Sequence, residues 1–204
     1  MQIGLFGKLP VKRDFVSINL PRGFLTVWEN WLQSSVAASR VSLGHEWQDL
    51  FLTAPIWRFW LGRDLGGTTV TGAFMPSVDG VGRYFPLTIC AWGEDSEVCD
   101  PPACEEEQDW FDSVESALLQ ALSPEFDGEP ARLLDGIAAP SPGAGGVLRE
   151  LFVRDLETVL GNRSYWWSKG GAGRPMQLVA YERMPDPYQF GGFITGRFEP
   201  ADGT

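Results

Sequence analysis

A few polar residues in glycine- and proline-containing stretches are the first candidates for chemistry: Asp14, Ser77, Asp79 and Arg83. A serine nucleophile requires a base, and the sequence contains a single histidine, His45. The residues around Ser77 do not form the Gly-x-Ser-x-Gly turn that exposes a hydrolase nucleophile. Nucleophilic catalysis is therefore disfavoured. A hydrolase or transferase that uses Asp14, Ser77 and Asp79 stays open as the alternative.

Asp79 and Arg83 flank a turn that contains Gly80 and Gly82. A carboxylate at such a position can accept hydrogen bonds from backbone N–H groups and can pair with the guanidinium four residues later. We therefore expect the two side chains to fix the conformation of the loop. The second interpretation is that a loop tip made of Ser77, Asp79, Gly82 and Arg83 is presented to a partner, and the two roles are compatible.

Metal and nucleotide sites lack their usual patterns in this sequence. Three cysteines, Cys90, Cys99 and Cys104, accompany one histidine, which leaves a four-ligand zinc site incomplete. The N-terminal segment around Lys8 and Lys12 is basic and could meet phosphate, but its spacing does not match Gly-x-x-x-x-Gly-Lys-Ser/Thr. We therefore expect no metal and no cofactor.

The distribution of charge limits the partners. A net charge of -11 argues against nucleic acid and anionic membranes, because both bind basic surfaces. The acidic excess is local: residues 94–129 contain thirteen acidic side chains and neither lysine nor arginine. A solvated acidic face is the favoured interpretation, and a docking face for a basic partner is the alternative. The candidate docking residues are Glu105, Glu106, Glu107 and Asp109.

Length and composition predict one compact domain. The chain has 204 residues, 44% hydrophobic and 13% aromatic, which is enough for one substantial core. No apolar run reaches the ~18 residues of a spanning helix, and the first residues lack the apolar stretch of a signal peptide, so we expect a cytoplasmic protein. The predicted domain spans residues 1–197, and residues 198–204 are expected to form a flexible tail.

Apolar residues at three- and four-residue spacing predict the helices that position these candidates. The first helix covers residues 19–39 and carries a tryptophan stripe that includes Trp28 and Trp31. Further amphipathic helices are predicted at residues 110–122 and 148–160, with a shorter helical piece at residues 46–52.

Alternating and β-branched runs predict the strands. These runs lie at residues 56–61, 68–74, 83–92, 164–167, 176–181 and 190–193. Pro86 cannot donate a ladder hydrogen bond, so its strand is expected at an edge or at a bulge. Trp166 and Trp167 must point to opposite faces of their strand, and cover from within the chain is expected for both. Without regular βαβ alternation, the order of elements predicts an α+β domain with a largely antiparallel sheet and amphipathic helices packed on it.

One segment resembles a known family signature. Residues 75–88 read MPSVDGVGRYFPLT, and they resemble the pattern Met-Pro-Ser-x-Asp-x-x-Gly-Arg-x-Phe-Pro-Leu at the centre of the TagF/ImpM family, which accompanies bacterial type VI secretion. The resemblance extends to residues 4–10, 14–16, 20–22, 57–59 and 164–167. The N-terminal signature residues are Gly7, Lys8, Pro10 and Asp14. Arg13 departs from the family, which often has glycine at that place.

The resemblance implies a regulator rather than an enzyme. TagF-like proteins are associated with post-translational repression of type VI secretion, and they act on a scaffold protein with a forkhead-associated domain. The family offers no established catalytic residue to carry over. On this basis we expect a non-enzymatic cytoplasmic protein that binds such a scaffold protein.

Overall fold

A computed structural model of the protein describes residues 1–93, 108–126, 128–140, 159–170 and 173–198. Its strands are β1 (Gln2–Gly7), β2 (Val16–Ile18), β3 (Trp57–Leu61), β4 (Val70–Met75), β5 (Leu87–Trp92), β6 (Ser164–Ser168) and β7 (Gln177–Tyr181). They form one sheet in the order β2-β1-β5-β4-β3-β6-β7, and every neighbouring pair is antiparallel. The predicted α+β class is confirmed.

Helices cover both faces of this sheet. They are α1 (Arg22–Leu43), α2 (Trp47–Leu52), α3 (Arg63–Gly66), α4 (Gln108–Gln120) and α5 (Phe190–Thr195). Short 3-10 helices occur at Gly44–Glu46, Pro130–Leu134 and Pro187–Gln189. One apolar cluster joins α1, α2 and α5 to the sheet, and a second joins α4 to the opposite face. Because both faces are covered, β3, β4 and β5 are buried along their whole length.

Aromatic rings fill the core between α1 and the sheet. Trp28 of α1 stacks on Phe59 of β3 with ring centroids 4.4 Å apart and on Trp166 of β6 at 5.8 Å. On the other face Trp167 meets Phe111 of α4 edge to face at 5.2 Å. Elements of the same chain therefore cover both tryptophans, as the sequence predicts.

The first helix starts and ends later than its apolar spacing predicts. Asn19 has φ 49°, a left-handed conformation that does not continue a helix, and Pro21 with φ -67° precedes the first turn. At the other end Gly44 adopts φ 55° and its N–H donates to the carbonyl of Arg40. Residues 22–43 rather than 19–39 are therefore helical.

Two strand expectations were wrong. Residues 190–193 belong to α5 because Asp186 and Pro187 begin a 3-10 turn ahead of it, and the Asp186 side chain accepts a hydrogen bond from the N–H of Tyr188. Pro86 lies just before β5 rather than inside it. Since the proline occupies no ladder position, β5 can lie between β1 and β4 rather than at an edge.

Some expectations fall outside the described residues. The predicted helix at residues 148–160 is described only from residue 159 onward, and Cys99, Cys104 and the candidate docking residues Glu105, Glu106 and Glu107 are not described. Phe198 packs edge to face on Trp57 and Phe193, and residues 199–204 of the predicted tail lie beyond the described part. In the described part, no helix has the length and apolar character needed to span a membrane.

A buried arginine joins α4 to the sheet. Arg58 of β3 is fully buried, and its guanidinium lies 4.7 Å from the ring centroid of Phe111. Its Nε donates to Glu115 Oε1 at 2.5 Å, and its Nη atoms donate to Gln108 at 2.9 Å and Asp112 at 3.1 Å. The charge of an inaccessible guanidinium is thus matched by side chains of one helix, which fixes the position of that helix on the sheet.

Removal of one hydrogen-bond acceptor of the buried Arg58 guanidinium should lower the stability of the protein. We expect Glu115→Ala to lower the free energy of unfolding by about 1.5 to 3 kcal/mol, because Arg58 loses a charge-assisted hydrogen bond and keeps the others. Urea denaturation measures this change. Asp109→Ala, at an exposed site of the same helix, serves as the control and should cost less than about 1 kcal/mol. Equal losses in the two variants would contradict the assigned role of Arg58.

Candidate functional site

The two signature segments meet at one end of the sheet. Gly7 ends β1, Leu87 begins β5, and the two residues are partners in the sheet register. Residues 8–15 therefore leave the sheet beside residues 76–86, which connect β4 to β5. We call these two segments together the clamp. Gly7 has φ 140°, and a Cβ atom there would clash with the carbonyl oxygen of Pro86, so the close approach requires glycine.

A buried carboxylate joins the two segments of the clamp. Asp79 Oδ2 accepts hydrogen bonds from Lys8 Nζ at 2.8 Å and from Arg83 Nε at 2.7 Å. Its Oδ1 accepts from the backbone N–H groups of Val81 at 3.1 Å and Arg83 at 2.8 Å. The predicted pairing of Asp79 with Arg83 is present. The ammonium of Lys8, which the sequence analysis did not assign to Asp79, is the second charged partner.

The surroundings of Asp79 keep it ionised. Burial alone would raise the pKa of its carboxyl, because the charged form loses water. Hydrogen bonds from Lys8, from the backbone N–H of Arg83 and from its guanidinium outweigh burial and hold the pKa well below its usual range. Asp79 is therefore a fixed negative charge between two cations.

Further hydrogen bonds join the two segments along their length. The hydroxyl of Ser77 donates to the carbonyl of Lys8 at 2.7 Å, and the N–H of Gly80 donates to the carbonyl of Lys12 at 2.8 Å. Gly82 adopts φ 86°, and its N–H donates to the carbonyl of Asp79 at 3.0 Å, which closes the turn.

The departure at Arg13 is accommodated without strain. The carbonyl of Arg13 accepts a hydrogen bond from Arg83 Nη2, and Asn19 is the one non-glycine residue with positive φ in the part of the chain that the structure describes. Asp14 is exposed, and its Oδ1 lies 3.9 Å from Arg83 Nη2. The carbonyl oxygen of Pro10 lies so close to Gly80 that a side chain at position 80 would be crowded. A side chain at position 13 is therefore compatible with the clamp.

Three aromatic rings support the clamp: Phe6 and Phe85 are buried, and Phe15 is partly exposed. Phe15 stacks on Phe6 with ring centroids 5.7 Å apart and meets Phe85 edge to face at 4.8 Å. Lys8 Nζ lies 5.0 Å from the centroid of the Phe15 ring. Sequence reasoning missed that Lys8 is buried and contacts Asp79 and Phe15. The available signal was its position between the buried strand β1 and the apolar Leu9, because a lysine buried there needs a carboxylate partner.

The arrangement favours structure over catalysis. Ser77 and Asp79 are buried, with the polar atoms of their side chains engaged inside the clamp, whereas Asp14 is on the surface. Across the described ranges, no group of His, Cys, Asp and Glu could hold a metal ion. A cavity of about 580 Å³ is lined by residues such as Leu43, Arg174 and Thr195, and none of its lining residues belongs to the clamp.

Comparison with known proteins assigns the family. The family model of the TagF N-terminal domain, described as type VI secretion system-associated, matches residues 4–137 and thus both segments of the clamp. The chain belongs to this family. It is also similar to PA0076 from Pseudomonas aeruginosa PAO1, whose crystal structure matches with 33% identity and a TM-score of 0.84 over 100% of this chain and 98% of that chain. A search of curated proteins finds no match.

The TagF signature at Asp79 should behave as a stability element. Asp79→Ala leaves the Lys8 ammonium and loop N–H groups without their acceptor, so we expect the free energy of unfolding to fall by about 3 to 5 kcal/mol. Arg83→Ala should cost about 1 kcal/mol, since its side chain is half exposed. In Lys8→Met/Asp79→Ala no buried charge is unpaired, and part of the loss should return. Urea denaturation measures all three, and an unchanged midpoint for Asp79→Ala would contradict the assignment.

The same carboxylate should contribute to acid sensitivity. The pKa of Asp79 is lower in the folded protein than the value of about 3.9 expected in the unfolded chain, so ionisation stabilises the fold above about pH 4. This contribution is lost as the pH falls from about 4 through the folded pKa. The free energy of unfolding should therefore decline less steeply in Lys8→Met/Asp79→Ala than in the wild type below about pH 4. Parallel declines would show that Asp79 does not carry the effect.

Proposed function

We propose that the protein is a non-enzymatic regulator that represses type VI secretion after translation by binding a forkhead-associated scaffold protein in the cytoplasm. Membership of the TagF family supports the link to type VI secretion. The observation that favours a binding role is the clamp, in which Ser77 and Asp79 hold two loops together rather than line a pocket.

The alternative of a hydrolase or transferase at Asp14, Ser77 and Asp79 receives little support from this geometry. The hydroxyl of Ser77 already donates to a carbonyl, and the carboxylate of Asp79 accepts four hydrogen bonds. A nucleophile or base must reach its substrate, and a group that is buried and engaged in this way does not.

A clamped pair of loops suits recognition of a protein partner. Hydrogen bonds and a buried ion pair hold residues 8–15 and 76–86 in one arrangement. A preorganised surface loses less conformational entropy when it binds, so more of the contact energy appears as affinity. The rigidity of the clamp therefore favours a binding mode in which its loops keep their conformation.

Repression predicts a defined phenotype in the host. Deletion of the gene should raise the amount of secreted tube protein in the medium, and excess protein should lower it, because a repressor that acts by binding titrates its target. The cellular abundance of the structural components should stay the same in both strains. If deletion leaves secretion unaltered while the machine is expressed, the repressor proposal fails.

The identity of the partner is tested separately. We expect the purified protein to bind the purified forkhead-associated scaffold protein of the same host in isothermal titration calorimetry. Lack of binding, together with an intact deletion phenotype, would exclude this partner and leave the regulatory role in place.

A further inference from the structure

We propose that the outer surface of the clamp docks the partner protein, and that the partner contributes an acidic patch with an apolar contact. This inference rests on the proposed function and deepens it. We call this surface the clamp tip, which consists of Val11, Lys12, Arg13, Asp14, Phe15, Val81 and Arg83.

Apolar side chains are exposed at the clamp tip. Val81 is 55% exposed, Val11 45% and Phe15 43%. They lie on two loops that are held side by side, because the N–H of Gly80 donates to the carbonyl of Lys12. Exposed apolar side chains on two loops held side by side supply the apolar contact that an interaction site needs.

The charge of the clamp is complementary to an acidic patch. The charges that its two segments leave at least partly accessible are the three cations Lys12, Arg13 and Arg83 and the single anion Asp14. Asp79 and Lys8 are both buried and pair with each other, so neither presents its charge to a partner. A basic surface on a chain with net charge -11 is a local exception, and an acidic patch on the partner fits it.

Arg83 is oriented for such a contact. Its Nε is fixed on Asp79 at 2.7 Å and one Nη on the carbonyl of Arg13, while the side chain remains half exposed. A guanidinium held in one orientation recognises a carboxylate with little loss of rotamer freedom.

A protein fits this surface better than nucleic acid or a lipid bilayer does. Extended polyanions require many cations in a row, and a chain with net charge -11 repels them over the screening length of about 10 Å at 0.1 M salt. A small acidic patch with an apolar contact requires only the clamp tip.

Two substitutions test the surface without breaking the clamp. Val81→Asp and Arg13→Glu change exposed side chains, and the bonds that these residues make inside the clamp come from their backbone atoms. The matched controls are Val41→Asp, at an 83% exposed position of α1, and Arg183→Glu, which follows β7 at the far edge of the sheet. Thermal melts establish that all four variants fold.

Both readouts use the full chain. In a deletion host, the wild type and the two control variants should repress secretion, whereas Val81→Asp and Arg13→Glu should not. In titrations with the scaffold protein, the two clamp-tip variants should bind at least about tenfold more weakly than the wild type, and the controls should bind equally.

The outcomes separate the inference from the proposed function. Folded clamp-tip variants that repress and bind like the wild type would overturn the docking surface, as would equal losses in the controls. Tighter binding by Arg13→Glu would overturn the acidic partner. Binding of the wild type to phosphatidylserine vesicles, if Arg13→Glu abolishes it, would overturn a protein partner.

Loss of repression confined to clamp-tip variants, with no binding to the scaffold, supports the surface and rejects that scaffold. A wild type that does not repress rejects the proposed function itself.

Discussion

The pairing of Lys8 with Asp79 is the interaction on which the signature end of the molecule depends. These residues are far apart in the chain, and β1 and β5 carry them to the same end of the sheet. A buried ammonium without a carboxylate, or a buried carboxylate without an ammonium, costs more than the pair contributes. The contact therefore acts mainly by selecting one arrangement of the loops. Arg83 and Phe15 then take their positions around it.

A second buried cation has a similar effect on the opposite side of the sheet. Arg58 fixes α4 through Glu115 and Asp112, and Lys169 after β6 donates to the same Asp112. This hydrogen bond from Lys169 lowers the pKa of the Asp112 carboxyl. Aromatic rings pack throughout the core, but rings tolerate small shifts more easily than a charged hydrogen-bonded group does. Buried charge thus specifies the placement of both the clamp and α4.

The parts that the sequence predicted correctly depend on local patterns. Three- and four-residue spacing marked α1 and α4, and the glycine-containing turn marked the hairpin of β4 and β5 together with the pairing of Asp79 and Arg83. The errors arise where a short segment carries an ambiguous pattern, as in α5, whose two glycines and two phenylalanines fit either state. Lys8 was missed because its partner is 71 positions away, and no periodicity encodes a contact set by strand order.

Two polar residues of the family signature, Ser77 and Asp79, serve the fold through contacts with a distant segment of the chain. Polar residues in a motif suggest chemistry, yet Ser77 and Asp79 direct their side chains into the protein, where a partner or substrate cannot meet them. Their types are required by the fold, since only a small hydroxyl and a carboxylate satisfy the carbonyl, N–H and ammonium groups around them. Recognition must then be performed by the side chains that the clamp leaves outside, such as Val81 and Arg13, which the fold itself constrains far less.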